Sequence, residues 1–205
     1  MTIAVHDNLL VYLGYRPGEF ITGESDLLTV WPGHKVDAPL SKRLNAIFIV
    51  GAERTSEQDV EFAISQLAEI AVRALSPGIN DPITANTCID WLGVTLSELA
   101  RRKMIPSHLF DHGNRLRIIR KTFKFEGMLD AAFNMIRQNS RVVEAVSIHL
   151  LETLATIAAQ TTREADRTAL RRHMDMVANE CRDSFSGDRD LKDLEARYQA
   201  GLAVL

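Results

Sequence analysis

The sequence predicts a mainly α protein. A helical domain of about six helices spans residues 53–205, behind a small β-rich subdomain over residues 1–52. Three observations carry that expectation. After Thr55, apolar residues recur at helical spacing along most of the chain. Before Val50, the apolar runs are short and broken by Pro-Gly pairs, as in strands joined by tight turns. The chain has 205 residues, 46% hydrophobic and 25% charged, which is enough to bury a core of ordinary globular kind.

In the first part, "IAVHDNLLVYL", "YRPGEFITGESDLLTVWPG" and "NAIFIV" read as β-type runs. Arg16-Pro17-Gly18 and Trp31-Pro32-Gly33 mark turns, and Gly14 and Gly23 add breaks. The middle run has the rhythm of a strand, a tight turn and a second strand. That rhythm points Phe20 inward and lets Leu27, Leu28 and Val30 resume the apolar face.

The first long helical pattern is "TSEQDVEFAISQLAEIAVRALS". Thr55 or Ser56 is its expected N-cap, with Gln58 and Asp59 near the capping-box position. Val60, Ala63, Ile64, Leu67, Ile70, Ala71, Ala74 and Leu75 form one apolar stripe. A second helix starts with Asp81 as cap and Pro82 at the first position, where a missing N–H is harmless. It runs to about Met104. Asp90 is the only charge between Pro82 and Ser97, which marks this as the expected buried central helix.

"PSHLFDHGN" reads as a loop, and "RLRIIRKTFKF" as a strand in which Leu116 and Ile118 alternate with Arg115 and Arg117. From Glu126 onward, helical patterns break near Asn139-Ser140, Thr161-Thr162 and Ser186-Gly187. "VVEAVSIHLLETLATIAAQ" is the most apolar of them, and "READRTALRRHMDMVANECRDSF" is charged on one side. The terminal "RDLKDLEARYQAGLAVL" reads either as loosely packed or as an oligomer contact.

Several function classes find no support. A net charge of -3 gives no electrostatic reason to expect nucleic acid. The run "RLRIIRKTFK" carries five positive charges and reads as the solvated basic face of a strand, with an anion- or headgroup-binding face as the alternative. Cys88 and Cys181 lie far apart inside helical patterns, as buried small residues rather than a disulfide or zinc framework. His108 and His112 have metal-ligand spacing, but Pro106 and Gly113 place them in a loop with no third ligand in reach. His6, His34, His149 and His173 stand isolated, and His149 reads as a hydrogen-bonded core residue. There is no GxSxG, Gly-rich phosphate loop or HExxH, so no catalytic residue, metal site or cofactor is assigned. No run approaches the roughly 18 apolar residues of a membrane span, and the first residues do not show the charged and apolar regions expected of a signal peptide. Taken alone, the chain reads as soluble and cytoplasmic.

The candidate site is the corner "RALSPGINDPITA", Arg73 to Ala85. Pro77-Gly78 turns the chain, with Gly78 free to take the positive φ that ends a helix. Asn80 and Asp81 can bond local N–H groups, so capping alone accounts for much of the pattern. The functional reading is a ligand-binding or coupling site formed by Arg73, Ser76, Asn80, Asp81 and Thr84. The positive end of a helix favours an anion there, while Asp81, Asn80 and backbone carbonyls would suit a hard cation. Arg73 either pairs with Glu69 on the helix surface or turns inward to hold Asp81.

The stretch "RTSEQDVEFAISQLAEIAVRALSPGINDPITANTCIDWL" resembles the bacterial predicted membrane proteins grouped as domain of unknown function 2254. The residues that carry the likeness are Arg54, Thr55, Gln58 and Asp59; Ile70 to Ala85; and Cys88, Ile89, Asp90 and Leu92. The upstream "RPGEFITGESDLLTVWP" is similar to the family's PG-containing segment, so the likeness covers about Val11 to Leu154. The resemblance implies company with transmembrane helices in longer relatives, association with the inner membrane in that setting, and no established activity. The expected role is a regulatory or ligand-sensing domain for an unidentified small molecule or ion. The alternatives are a structural and oligomerisation module and, last, a hydrolase using Ser76 or Asp81. A homo-oligomer is the expected partner state.

Overall fold

A four-stranded sheet and six long helices make up most of the chain in the computed structural model, which describes residues 1–205. The mainly α class with a small β part is the architecture found. The chain divides into two compact units, residues 1–62 with 104–123, and residues 63–103 with 124–205. Each unit is discontinuous in sequence. A linear division at residue 52 does not contain the return of residues 104–123 to the first unit.

The first unit holds α1 (Thr2–His6), β1 (Leu10–Leu13), β2 (Leu28–Trp31), α2 (Ala38–Asn45), β3 (His108–Phe110) and β4 (Leu116–Arg120). The strand order is β2-β1-β4-β3. β1 runs antiparallel to β2, with Val11 opposite Val30, and parallel to β4, with Val11 opposite Ile118. β3 closes the far edge antiparallel to β4. Ala4, Leu9, Val11, Leu40, Leu44 and Ile118 form its core, with Leu13, Leu28 and Val30 packed against them.

Three β-type readings in this unit give way. "IAVHDNLLVYL" starts as α1, because one helical turn puts Ala4 into the core before Asn8, at φ 53°, redirects the chain into β1. "NAIFIV" is not a strand: Asp37 caps α2 by accepting from the Leu40 N–H, α2 supplies Leu40 and Leu44 to the core, and Ile49 after it is 97% exposed. Between Gly14 and Leu27 there is no first strand either, and Phe20 is 90% exposed instead of pointing in. Polar contacts, described below, hold that loop.

β4 is the strand expected from "RLRIIRKTFKF", but its face assignment differs. Arg117 is buried: its Nε donates to Asp111 Oδ2 at 2.7 Å and its Nη1 to Asn8 Oδ1 at 2.7 Å. Those bonds satisfy a charge taken out of water. Arg120 Nε donates to the Pro106 carbonyl, and Lys121 faces Glu19 at 3.6 Å. Much of the basic run is thus engaged within the unit.

The second unit contains α3 (Val60–Ala74, whose first turn is counted with the first unit), α4 (Pro82–Arg101), α5 (Phe125–Ser140), α6 (Glu144–Ala159), α7 (Glu164–Ser184) and α8 (Asp188–Ala203). α6 is the central helix, packed against α4, α5, α7 and α8. It buries one broad face, with Val146, Leu150, Leu151, Leu154 and Ile157 among its residues, and Ile148, His149 and Ala155 are half-buried beside it. α4 does not take that place. It buries one face, Ala85, Cys88, Ile89, Leu92, Leu96 and Ala100, and leaves the other open. Gly93 sets how close the pair comes, since a Cβ there would lie 2.5 Å from Thr153 Cγ2. α8 is seated on α6 and α7 by buried Leu194, by Arg197 donating to Glu152 at 2.5 Å, and by the Tyr198 hydroxyl donating to Asp175 at 2.7 Å.

Candidate functional site

α3 stops at Ala74, and the corner is closed by its own backbone. Ile79 N–H and Asn80 N–H both donate to the Ser76 carbonyl, and Asp81 N–H donates to the Ala74 carbonyl at 2.8 Å. The residue with positive φ is Asn80, at 48°, not Gly78. Asn takes this conformation readily among residues with a side chain, so the chain reverses without calling on glycine.

The polar side chains of the corner bond chiefly to one another and to nearby backbone. Asp81 caps α4: Oδ1 accepts from the Thr84 N–H at 3.0 Å and Oδ2 from the Thr84 hydroxyl at 2.5 Å. The Thr84 hydroxyl, then its N–H, holds the Asp81 carboxyl below its ordinary range. Ser76 Oγ donates to the Arg73 carbonyl at 2.7 Å. Arg73 Nη2 donates to Glu69 at 3.1 Å on the helix surface and does not turn inward to Asp81. Asn80 is exposed. Of the five candidates, the structure joins Asp81 to Thr84 directly and Ser76 to Arg73 through the backbone. The positive end of α4 is occupied by the chain's own carboxylate, the arrangement that needs no outside anion.

Two features lay outside the sequence reading. The first is a clasp within the first unit. Asp59, 1% exposed, caps α3 by accepting from the Phe62 N–H at 3.0 Å, so the cap is neither Thr55 nor Ser56. Arg54 donates to the same carboxylate from Nε at 2.9 Å and from Nη2 at 2.6 Å. Gly18, at φ 82°, lies against it, and a Cβ at Gly18 would fall 1.7 Å from Asp59 Oδ2. Arg16 donates to Glu61 at 3.1 and 3.2 Å and to Glu19 at 3.3 Å, with its guanidinium over the Phe123 ring. Arg54 and Asp59 stand out in the sequence, and so does the Arg16-Gly18 turn. Their meeting joins segments some forty residues apart, which no local pattern reports.

The second is the outer face of α4. Ile83 is 80% exposed, Trp91 61% and Val94 62%, with Ile79 just ahead of the helix also open. Spaced at 83, 87, 91 and 94, Ile83, Thr87, Trp91 and Val94 fall within about a quarter of the helix circumference. Asp90 borders this arc and accepts from His149 Nε2 at 2.7 Å.

The histidines are distributed otherwise. His108 lies on β3 beside the Ser107 hydroxyl, and His112 is exposed in the β3–β4 turn. His173, which reads as isolated in sequence, is wholly buried in α7, with Nε2 3.0 Å from Asp130 Oδ1 on α5. Arg172 donates to the same Asp130 at 2.8 Å, and buried Arg137 pairs with Glu180. Burial pushes the His173 pKa down, against the pull of Asp130.

No helix is long and apolar enough to cross a membrane. The family described as predicted membrane protein, domain of unknown function 2254, matches residues 1–156. Uncharacterised proteins of Mycobacterium bovis and of two strains of Mycobacterium tuberculosis are 29% identical over 141 residues, 69% of this chain. The chain covers 27% of the length of these relatives. No solved structure matches it.

Proposed function

The chain belongs to this family of predicted membrane proteins, and from that premise we propose that it is a self-association module, in which the outer face of α4 meets a second copy of the chain. The observation that carries the reading is the apolar arc of Ile83, Trp91 and Val94 on a helix whose opposite face is fixed against α6. With Ile79, these side chains expose on the order of 500 Å² of apolar surface, within the range of the largest patch on an ordinary monomer, a patch that is often functional. Pairing two such patches removes at most about 1,000 Å² from water, the lower bound for a biological interface and the size of a weak, concentration-dependent contact. The corner supports the reading from the other side. Its hydrogen bonds, made within the chain, fix the start of α4 and so the aim of that face. In a longer relative, pairing here would hold two membrane parts side by side.

Light scattering on the purified chain over a range of concentrations tests the reading. The expected result is a dimer that Trp91→Glu converts to monomer with its helical content unchanged. A wild-type chain that stays monomeric at the highest concentration sinks the proposal, and so does a dimer indifferent to Trp91→Glu. Screening the wild type for small-molecule or ion stabilisation addresses the sensing role. A rise in Tm that Asp81→Asn and Ser76→Ala abolish would favour a ligand at the corner instead.

A further inference from the structure

The self-association reading leaves open how two α4 helices would lie, and the charges flanking the arc decide it. Resting on that reading, we infer that the two copies pair antiparallel about a two-fold axis that lies against the outer face of α4, at the level along the helix midway between Ile83 and Val94. The apolar arc runs from Ile83 to Val94, about 16 Å of helix. A two-fold interface must match a surface to itself, residue i meeting j while j meets i. With the axis at the middle of the arc, Ile83 meets Val94 of the second copy, Val94 meets Ile83, and the two Trp91 rings flank the axis.

Charge argues against the parallel alternative. The outer face also carries Asp90, Glu98 and Arg101, all exposed. A parallel in-register pair sets each against its own counterpart, like against like at three levels, a repulsion softened where Glu98 holds Arg102 and Asp90 holds His149 within the chain. In the antiparallel pair, the two Glu98 carboxylates lie about 28 Å apart along the axis, and the Arg101 guanidinia farther. Asp90 lies opposite Thr87 of the second copy and keeps His149 as its partner. Helix dipoles add the same preference, since antiparallel neighbours bring unlike ends together.

The same register gives the corner a place in the contact. Arg101, 57% exposed at its side chain, and Arg102, at 68%, sit at the C-terminal end of α4, where Arg101 donates to Gln160 and Arg102 to Glu98. Antiparallel pairing carries them beyond the apolar arc, past the start of α4 in the second copy. Ile79, open ahead of α4, extends the apolar contact to that end.

Disulfide trapping tests the arrangement. Ile83→Cys and Val94→Cys are prepared separately, one carrying an affinity tag, then mixed and oxidised with copper phenanthroline. The native Cys88 and Cys181 are buried, and burial raises both thiols, so neither competes for the reagent. The expected product is the mixed disulfide between the two variants, formed at least tenfold faster than either variant links to itself. Self-linking of Ile83→Cys as fast as the mixed reaction overturns the antiparallel pairing. So does a Trp91→Glu-sensitive dimer that forms no mixed disulfide. In both of those cases the self-association reading stands, whereas a monomeric wild type sinks both.

Discussion

Asp81 and Thr84 close the start of α4 with two hydrogen bonds between them, one from the Thr84 N–H at 3.0 Å and one from its hydroxyl at 2.5 Å. The backbone bond is the N-cap itself. The hydroxyl bond locks the carboxylate in the rotamer that makes it. Asp81 is therefore a fold determinant at the entry to α4, whatever else meets the corner.

Asp81→Ala removes both bonds and leaves the Thr84 N–H without its acceptor. The expected result is a clear fall in the urea midpoint, because the lost anion also faced the positive end of the helix. Asp81→Asn keeps an acceptor and gives up the charge, so its midpoint should fall less than that of Asp81→Ala. Urea unfolding monitored by circular dichroism checks both. An Asp81→Ala chain as stable as wild type would show that the cap carries nothing.

The corner was legible in sequence because its chemistry is local. Asp81-Pro82 announces a cap and a first helical position within two residues, and both are found. Gly78 misled for a related reason: glycine is permitted positive φ but not obliged to take it, and Asn80 took it. The role of α4 was misread because a low charge count does not separate a buried helix from one with an open apolar face. Only the positions of Ile83, Trp91 and Val94 around the helix do so, and only once the face touching α6 is known. Gly18 against Asp59, and His173 against Asp130, are contacts across long sequence separation. Neither residue type nor spacing reports them.

His173 predicts a loss of stability on mild acidification. Burial holds its folded pKa below the ordinary 6.5, so between those two values the unfolded chain binds more proton than the folded one. Stability from keeping His173 neutral is complete above about pH 6.5 and declines as pH falls toward the folded pKa. Asp130 acts in the same direction at lower pH. Burial raises its carboxyl, but the hydrogen bonds from Arg172 and His173 outweigh that and leave it below 3.8. Its contribution is lost in stronger acid. Urea midpoints measured from pH 7.5 to 5 should fall in the wild type and fall less in His173→Gln. Equal slopes for the two chains would remove His173 as the cause.

The seat of α4 on α6 predicts a coupled pair. Gly93 and Thr153 meet where the two helices approach, and a Cβ at Gly93 would stand 2.5 Å from Thr153 Cγ2. Gly93→Ala gains about 1 kcal/mol of helix propensity but must displace a methyl group in a packed interface. The clash outweighs the propensity, and the net expected loss is about 1–2 kcal/mol. Thr153→Ala alone removes a methyl and a hydroxyl from a nearly buried site and costs about 1 kcal/mol. In the double variant the new methyl occupies the space the old one left, so the losses should not add. A coupling energy of about 1 kcal/mol or more in the double-mutant cycle is expected. Additive losses would mean that α4 shifts on α6 rather than clashing with it. The outer arc of Ile83, Trp91 and Val94 would then have no fixed aim, and a two-fold contact through it would lose its rigid base.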